Sequence, residues 1–383
     1  MRLRPSWALQ ARHRNGVTMA PSPQNISASP LFSLVMPVYG VERYIADAIA
    51  DVLTQDCGDF ELIVVDDCTP DRSIEIAEYV AGGDARMRIV HHESNRGLSQ
   101  ARNTGIDAAR GRWLLFPDPD DRYESDMLAK VRDAVDNCDT DLVVFGHVQE
   151  YHDASGKHLY DNALMLENAA YEQGPELGRA AVALERQTHL GYAWNKAYRT
   201  ELVRTAGLRF EDNVPLIEDI LFNVEYLKHA RSVVTLSSVP YRYAKRLGAN
   251  LTNDFVPRYF ELHRRRIAEV RALASGYGAL DEQAQATIGA LYARYILSAL
   301  ERNADPRSNM THAERINWVR KLFEDELFCE LIPKAHAEDS AALAACLKLL
   351  NARNPKALVA LGRTIHLVRN RSTVLYSKAK SKR

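Results

Sequence analysis

Three short acidic runs carry the residue types and spacing of groups that handle cations, phosphates or hydroxyl protons. Phe116 to Asp121 reads FPDPDD, Asp66 and Asp67 open DDCTPD, and Glu218 and Asp219 stand together in PLIEDILF. A run such as FPDPDD repels itself. Either it is a solvated turn that caps the next helix, or something positive or hydroxyl-rich belongs there: a divalent metal, a sugar ring, or both. DDCTPD has the form of a cap and turn, with Thr69 or Asp71 starting the next helix. Glu218 and Asp219 precede Leu221, Phe222, Val224, Tyr226 and Leu227 at helical spacing. Carboxylates are ordinary at a helix start, and an ionised carboxylate is also the group a general base requires.

The elements that must position these groups follow from hydrophobic periodicity. FSLVMPVYG reads as a strand and turn, and ERYIADAIADVLTQ as a helix with Tyr44, Ile45, Ala48, Ile49 and Val52 on one face. FELIVVDD, MRIVHH and RWLLF read as further strands, separated by the helical SIEIAEYVA and LSQARNTGIDAA. Near-continuous apolar strands alternating with helices predict an α/β fold, a mostly parallel sheet flanked by helices. Such sheets bind ligands at the carboxyl ends of their strands. Here those ends are Pro37 to Tyr39, Asp66 and Asp67, His91 to Asn95, and Asp118 to Asp121.

Composition bounds the rest. The chain has 383 residues, 46% hydrophobic and 26% charged, which suits two or three globular domains. Its 49 Lys and Arg against 50 Asp and Glu give no basic footprint for nucleic acid. The five cysteines are scattered without CxxC spacing, against a disulfide framework or zinc site, so a reducing cytoplasm is expected. Residues 1–30 carry arginines and prolines but no apolar stretch suited to a signal peptide, and read as a disordered leader within which Met19 is an alternative start. Charges interrupt every window that could span a bilayer.

In order along the chain, SLVMPVYGVERYI, FELIVVDDCTPD, NRGLSQARNTGIDAARGRWLLFPDPDD, YAWNKAYR, LRFEDN, PLIEDILF and PYRYAKRLGANLT resemble the family 2 glycosyltransferases, inverting enzymes of the GT-A fold that use nucleotide-sugar donors. The resemblance runs from about Phe32 to Thr252 and implies a GT-A domain over 31–252, followed by a region over 253–383. It implies that Pro37, Val38 and Tyr39 line the base pocket and that Asp67 accepts a hydrogen bond from the base, favouring uracil with its N3–H. Asn95 and Gly97 fall in the nucleotide-side loop, where Gly97 also fits a plain helix start. FPDPDD stands where the family carries its DxD element, so Asp118 is expected at the ribose or sugar, Asp120 on Mn²⁺ or Mg²⁺, and Asp121 in support. Pro119 departs from the small serine found there in relatives. Asp219 is expected as general base with Glu218 beside it, and Arg242, Lys245 and Arg246 on a basic loop as partners for donor phosphates or an anionic acceptor. Trp194, in the WNK segment on the acceptor side, is either core or a sugar-stacking ring.

The resemblance further implies a nucleotide-sugar donor, a glycan or lipid-linked acceptor, and a place in cell-surface polysaccharide assembly at the inner face of the plasma membrane. Beyond about Asn253 the chain reads as a helical region with a basic tail, RTIHLVRNRSTVLYSKAKSKR, for which peripheral contact with anionic lipid competes with a solvated terminus. A sugar nucleotidyltransferase would open with a glycine-rich loop where this chain has VMPVYG, and a dehalogenase-type phosphotransferase would carry DxD after its first strand. A catalytically inactive nucleotide-sugar-binding protein is the remaining alternative; Asp67, Asp118, Asp120 and Asp219 are all present.

Overall fold

The structure, a computed structural model, describes residues 29–153, 155–246, 255–337 and 341–371. Residues 1–28 of the expected leader, Met19 among them, lie outside the described residues, as do the GANLT segment and the tail from residue 372. The chain forms two compact units, residues 1–129 and 130–383.

In the first unit, β1 (Phe32–Val38), β2 (Phe60–Asp66), β3 (Met87–His91) and β4 (Trp113–Leu115) are parallel and ordered β3-β2-β1-β4. The apolar runs predicted as strands are these strands, and every residue of β1 is buried. Helices α1 (Ile45–Leu53), α2 (Ser73–Ala81) and α3 (Leu98–Ala108) follow the first three. The helix α1 buries Ile45, Ala48, Ile49 and Val52, the face its spacing predicts. At Gly105 the helix α3 lies so close to β1 that a Cβ would sit 2.0 Å from a Val35 methyl, so a glycine is needed for this approach. Below the sheet, buried Glu61 accepts from Ser33 Oγ at 2.6 Å and Arg110 N at 2.6 Å, with Arg88 Nε at 3.2 Å. Burial opposes its ionisation, but these bonds and the Arg88 charge hold the carboxyl below its usual range. The two-residue β5 (Arg122–Tyr123) follows the FPDPDD turn, and the unit boundary falls within α4 (Met127–Asn137).

The second unit is built on β6 (Leu142–His152). Along one side it pairs antiparallel with β9 (Lys196–Arg199) and β7 (His158–Leu164), and on the other it pairs in parallel with β10 (Ser232–Arg246). The strand β8 (Ala169–Glu172) is antiparallel to β10. Between them run α5 (Pro175–Arg186), α6 (Thr200–Thr205) and α7 (Glu218–His229). The sequence over 233–252 reads as a strand entering a basic loop that carries Arg242, Lys245 and Arg246. Instead β10 continues through Arg246, because a register shift between Leu236 and Tyr241 absorbs Pro240, which has no N–H to give the ladder. The C-terminal region is helical as expected: α8 (Tyr259–Gly276), α9 (Glu282–Ala304), α10 (His312–Leu322), α11 (Glu326–Leu331), α12 (Ala341–Asn351) and α13 (Pro355–Arg371). The stretch 312–328 is broken in two where Asp325 caps α11 through Phe328 N at 3.0 Å.

Candidate functional site

In the first unit the strand order reverses at β1, with β2 on one side and β4 on the other, which makes the carboxyl ends of β1 and β4 a topological switch point. Pro37 and Val38 are buried within β1, so the next residue, Tyr39, is the one of the three that presents its side chain, 52% exposed. The two aspartates after β2 have separate jobs. Asp66 Oδ1 accepts from Thr69 N at 2.9 Å, a local turn, and Oδ2 meets His91 Nδ1 at 2.9 Å. Asp71 receives Ser73 N at 3.0 Å at the start of α2. Asp67 is 3% exposed and reaches across to the loop after β3. Its Oδ1 meets His92 Nδ1 at 2.7 Å and accepts from Arg96 N at 2.8 Å, while Oδ2 accepts from Gly97 N at 2.8 Å. His92 Nε2 is in turn 2.8 Å from Thr104 Oγ1. Asn95 Nδ2 donates to Asp67 O at 3.4 Å. Gly97 is the N-cap of α3 with φ +85°, so it is the helix start and also part of the grip on Asp67. Asp67 therefore organises the loop after β3.

The FPDPDD turn leaves β4 with Pro117 and Pro119 buried and Asp118 and Asp120 half-buried, while Asp121 is turned inward at 1% exposure. Asp118 Oδ1 accepts from Nη2 of Arg102, itself 1% exposed, at 3.1 Å. Tyr123 donates its hydroxyl to the Asp118 carbonyl, and Asp121 N reaches the same carbonyl at 3.3 Å. Burial, then the charges of Asp121, Asp118, Asp120 and Asp51, hold the Tyr123 hydroxyl protonated well above its usual range, so it remains a donor. Among the described residues no three His, Cys, Asp or Glu side chains gather as a metal cage. The turn offers instead a pair of partly exposed carboxylates, a donor set suited to a hard cation that completes its shell with phosphate oxygens. Sequence reading missed Arg102. Its signal was an arginine on the apolar side of ARNTGI, one turn before buried Ile106.

In the second unit, Glu218 and Asp219 open α7, both half-buried, and Asp219 Oδ2 accepts from Ala193 N at 2.9 Å. Arg242, Lys245 and Arg246 do not share a face. Alternation along β10 sets Arg242 and Arg246 on one side and Lys245 on the other. Arg242 Nη1 lies 2.7 Å from Glu150 Oε1 and 3.7 Å from Asp161 Oδ2. Lys245 Nζ sits 5.3 Å above the Tyr151 ring and 5.7 Å from that of Tyr243. Trp194 is 3% exposed and stacks on Tyr192 at 4.5 Å and Tyr241 at 4.2 Å. Its ring is core, and the stacking role weighed for it on a sugar has no open face.

Around these rings sit three buried basic groups. Lys196 is fully buried, and burial pulls its ammonium down to about 7 against the opposing charges of Asp219 and Glu185. His189 is lowered to about 4 by burial and then by the Lys196 charge. His147 packs edge-on against Trp194 at 4.7 Å, and burial, then His189, Lys245 and Lys196, hold it well below its ordinary value.

Residues 33–207 match the family model of Glycosyl transferase family 2. The uncharacterized glycosyltransferase EpsJ of Bacillus subtilis is 36% identical over 214 residues, which is 56% of this chain and 61% of that protein. The glycosyltransferase EpsH of the same organism is 33% identical over 233 residues, 57% of this chain and 65% of its own length. The chain thus covers less than two thirds of either relative, at 61% and 65%. Among solved structures, S. aureus TarS 1-349, crystallised in complex with UDP-GlcNAc, has the same fold, with a TM-score of 0.59 over 88% of this chain and 91% of that one at 21% identity. No helix among the described residues is long and apolar enough to cross a membrane.

Proposed function

We propose that this chain, whose residues 33–207 match glycosyl transferase family 2, is an inverting glycosyltransferase moving a sugar from a UDP-linked donor to a hydroxyl of a glycan or lipid-linked acceptor, in cell-surface polysaccharide assembly. The observation that carries the reading is the acidic turn Asp118–Asp121 at the carboxyl end of β4, beside the switch point where Tyr39 stands exposed. The TarS complex with UDP-GlcNAc supports the donor class.

In this reading Tyr39 stacks on the base, Pro37 and Val38 back it, and Asp67, Asn95 and Gly97 form the loop that fits the nucleoside. Asp118 and Asp120 would hold Mn²⁺ or Mg²⁺, with Asp121 bracing the turn from within. Such an ion supplies positive charge for the departing diphosphate. Asp219 takes the acceptor's proton, with Glu218 in support. Arg242 and Arg246, on one side of β10, meet phosphates or an anionic acceptor, with Arg242 sharing its guanidinium with Glu150, while Lys245 on the other side can meet only a separate anionic group. Exposed Leu367 and Val368 on α13, 58% and 53% open, favour a peripheral contact of the basic C-terminal region with the inner face of the plasma membrane.

The test is calorimetric binding of UDP-GlcNAc, UDP-glucose and UDP-galactose with and without a chelator, followed by release of UDP. Metal-dependent binding with turnover supports the proposal. Equal affinity after chelation removes the metal from Asp118 and Asp120, and binding without turnover under all acceptor conditions turns the chain into a nucleotide-sugar-binding protein.

A further inference from the structure

The turn from His189 to Ala193, in the second unit, is gripped through its main chain from two sides. Lys196 Nζ donates to His189 O at 2.6 Å, Tyr192 O at 2.5 Å and Asn195 Oδ1 at 2.7 Å. An ammonium has three N–H groups, and these acceptors use all of them. Asn223 Nδ2 donates to Leu190 O at 2.7 Å and Tyr192 O at 2.9 Å, and its own Oδ1 receives the Tyr198 hydroxyl at 2.6 Å. Asn223 lies one turn after Asp219 on α7, so the two share a helix face. The turn then gives one group back: Ala193 N–H donates to Asp219 Oδ2 at 2.9 Å.

A fully buried cation is a costly way to fill a core, and an apolar chain of similar volume is often as stable there. What the ammonium does that a methionine could not is collect two carbonyls of one turn. One of them, Tyr192 O, belongs to the same peptide as the Ala193 N–H that meets Asp219 Oδ2, so holding that carbonyl orients the N–H that fixes the carboxylate. We propose that Lys196, assisted by Asn223, is a positioning residue for glycosyl transfer: it shapes the His189–Ala193 turn so that the Ala193 amide holds Asp219 in the orientation from which it accepts the acceptor's proton. This rests on the reading of Asp219 as base.

The test uses the full chain and the UDP-sugar from the panel above that wild type turns over. Lys196→Met is expected to lower kcat by about 10- to 100-fold, the scale of a misplaced catalytic group, while the Kd for UDP stays within about twofold. Asn223→Ala is expected to lower kcat by a smaller factor, about 5-fold, because Lys196 still holds Tyr192 O. Ile267→Ala, a core truncation in α8, serves as a control for general destabilisation and should leave kcat unchanged. If Lys196→Met does not fold by circular dichroism, Asn223→Ala decides. Wild-type kcat in a folded Lys196→Met, or in Asn223→Ala where that variant decides, overturns the proposal when Asp219→Asn is inactive. Wild-type kcat in Asp219→Asn overturns the base reading itself.

Discussion

In the first unit the acids at the strand ends are held by side-chain partners of opposite or complementary character, with turn amides adding to the grip. Arg102 sits on Asp118, His92 and two amides sit on Asp67, and Glu61 below the sheet is met by Arg88 and Arg110. In the second unit Asp219 receives a peptide N–H, and the buried groups behind that peptide are a lysine and two histidines whose charged forms burial disfavours. The contrast separates two ways of fixing a carboxylate. The first ties it directly to side chains and loop amides. The second holds it by a peptide N–H, and the carbonyl of that same peptide is held by Lys196 and Asn223.

The largest effects should come from the carboxylates themselves. Asp219→Asn is expected to lower kcat by about 10²- to 10⁴-fold with donor binding retained, the range for loss of a general base. Asp120→Ala should instead abolish metal-dependent donor binding. Turnover assays paired with UDP calorimetry separate the two, and a shared phenotype would erase the functional side of the comparison.

Next in size is Arg102→Met. It leaves Asp118, whose side chain is 24% exposed, without its guanidinium. A destabilisation of about 1–3 kcal/mol is expected, less than for a fully buried pair because solvent reaches the carboxylate. Donor affinity should fall with it as the turn loosens. Unchanged thermal stability and affinity would show that Tyr123 and the prolines hold the turn unaided.

Arg102 also marks the limit of what the sequence discloses. The parallel strands, their helices and the acidic turn were legible because each rests on local periodicity or on a run of like charges. The pairing of Arg102 with Asp118 needs the packing of α3 on β1, set by Gly105. Trp194 was undecidable from sequence because Tyr241, which covers it, arrives on a different strand. The basic residues Arg242, Lys245 and Arg246 read as a loop, and the pairing with β6 that extends the strand through them, past a register shift between Leu236 and Tyr241, is a tertiary event. Lys196 stood in plain sight in WNK, yet nothing local says that a lysine will be wholly buried.

A pH series sharpens the comparison on the side of stability. His189 titrates near 4 folded against about 6.5 in an unfolded chain, so between those values the unfolded state binds more protons. Stability is full above about 6.5 and declines as pH falls toward 4; His147, shifted the same way, adds to the loss. Lys196 acts on the alkaline side. Its folded value of about 7 lies below the unfolded 10.5, so its burial penalty is full below 7 and fades as pH rises. The wild-type melting temperature, compared with that of Lys196→Met, should therefore gain on the variant between pH 7 and 10. A flat difference would mean that the ammonium keeps its proton throughout.

The smallest effect tests the first unit's amides alone. Gly97 has φ +85° and ψ 166°, a region almost confined to glycine, and no atom lies within 4 Å of where a Cβ would be. Gly97→Ala therefore brings backbone strain without a clash, expected at about 1 kcal/mol. Relief of that strain would swing the N–H away from Asp67 Oδ2 and leave His92 and Arg96 N on the other oxygen. A melting temperature lowered by a few degrees with unchanged UDP affinity would place Asp67's hold mainly on His92. A parallel loss of affinity would show that both oxygens must be tied for the loop to receive the nucleoside, and His92→Ala, which loosens the opposite oxygen, should then reproduce it.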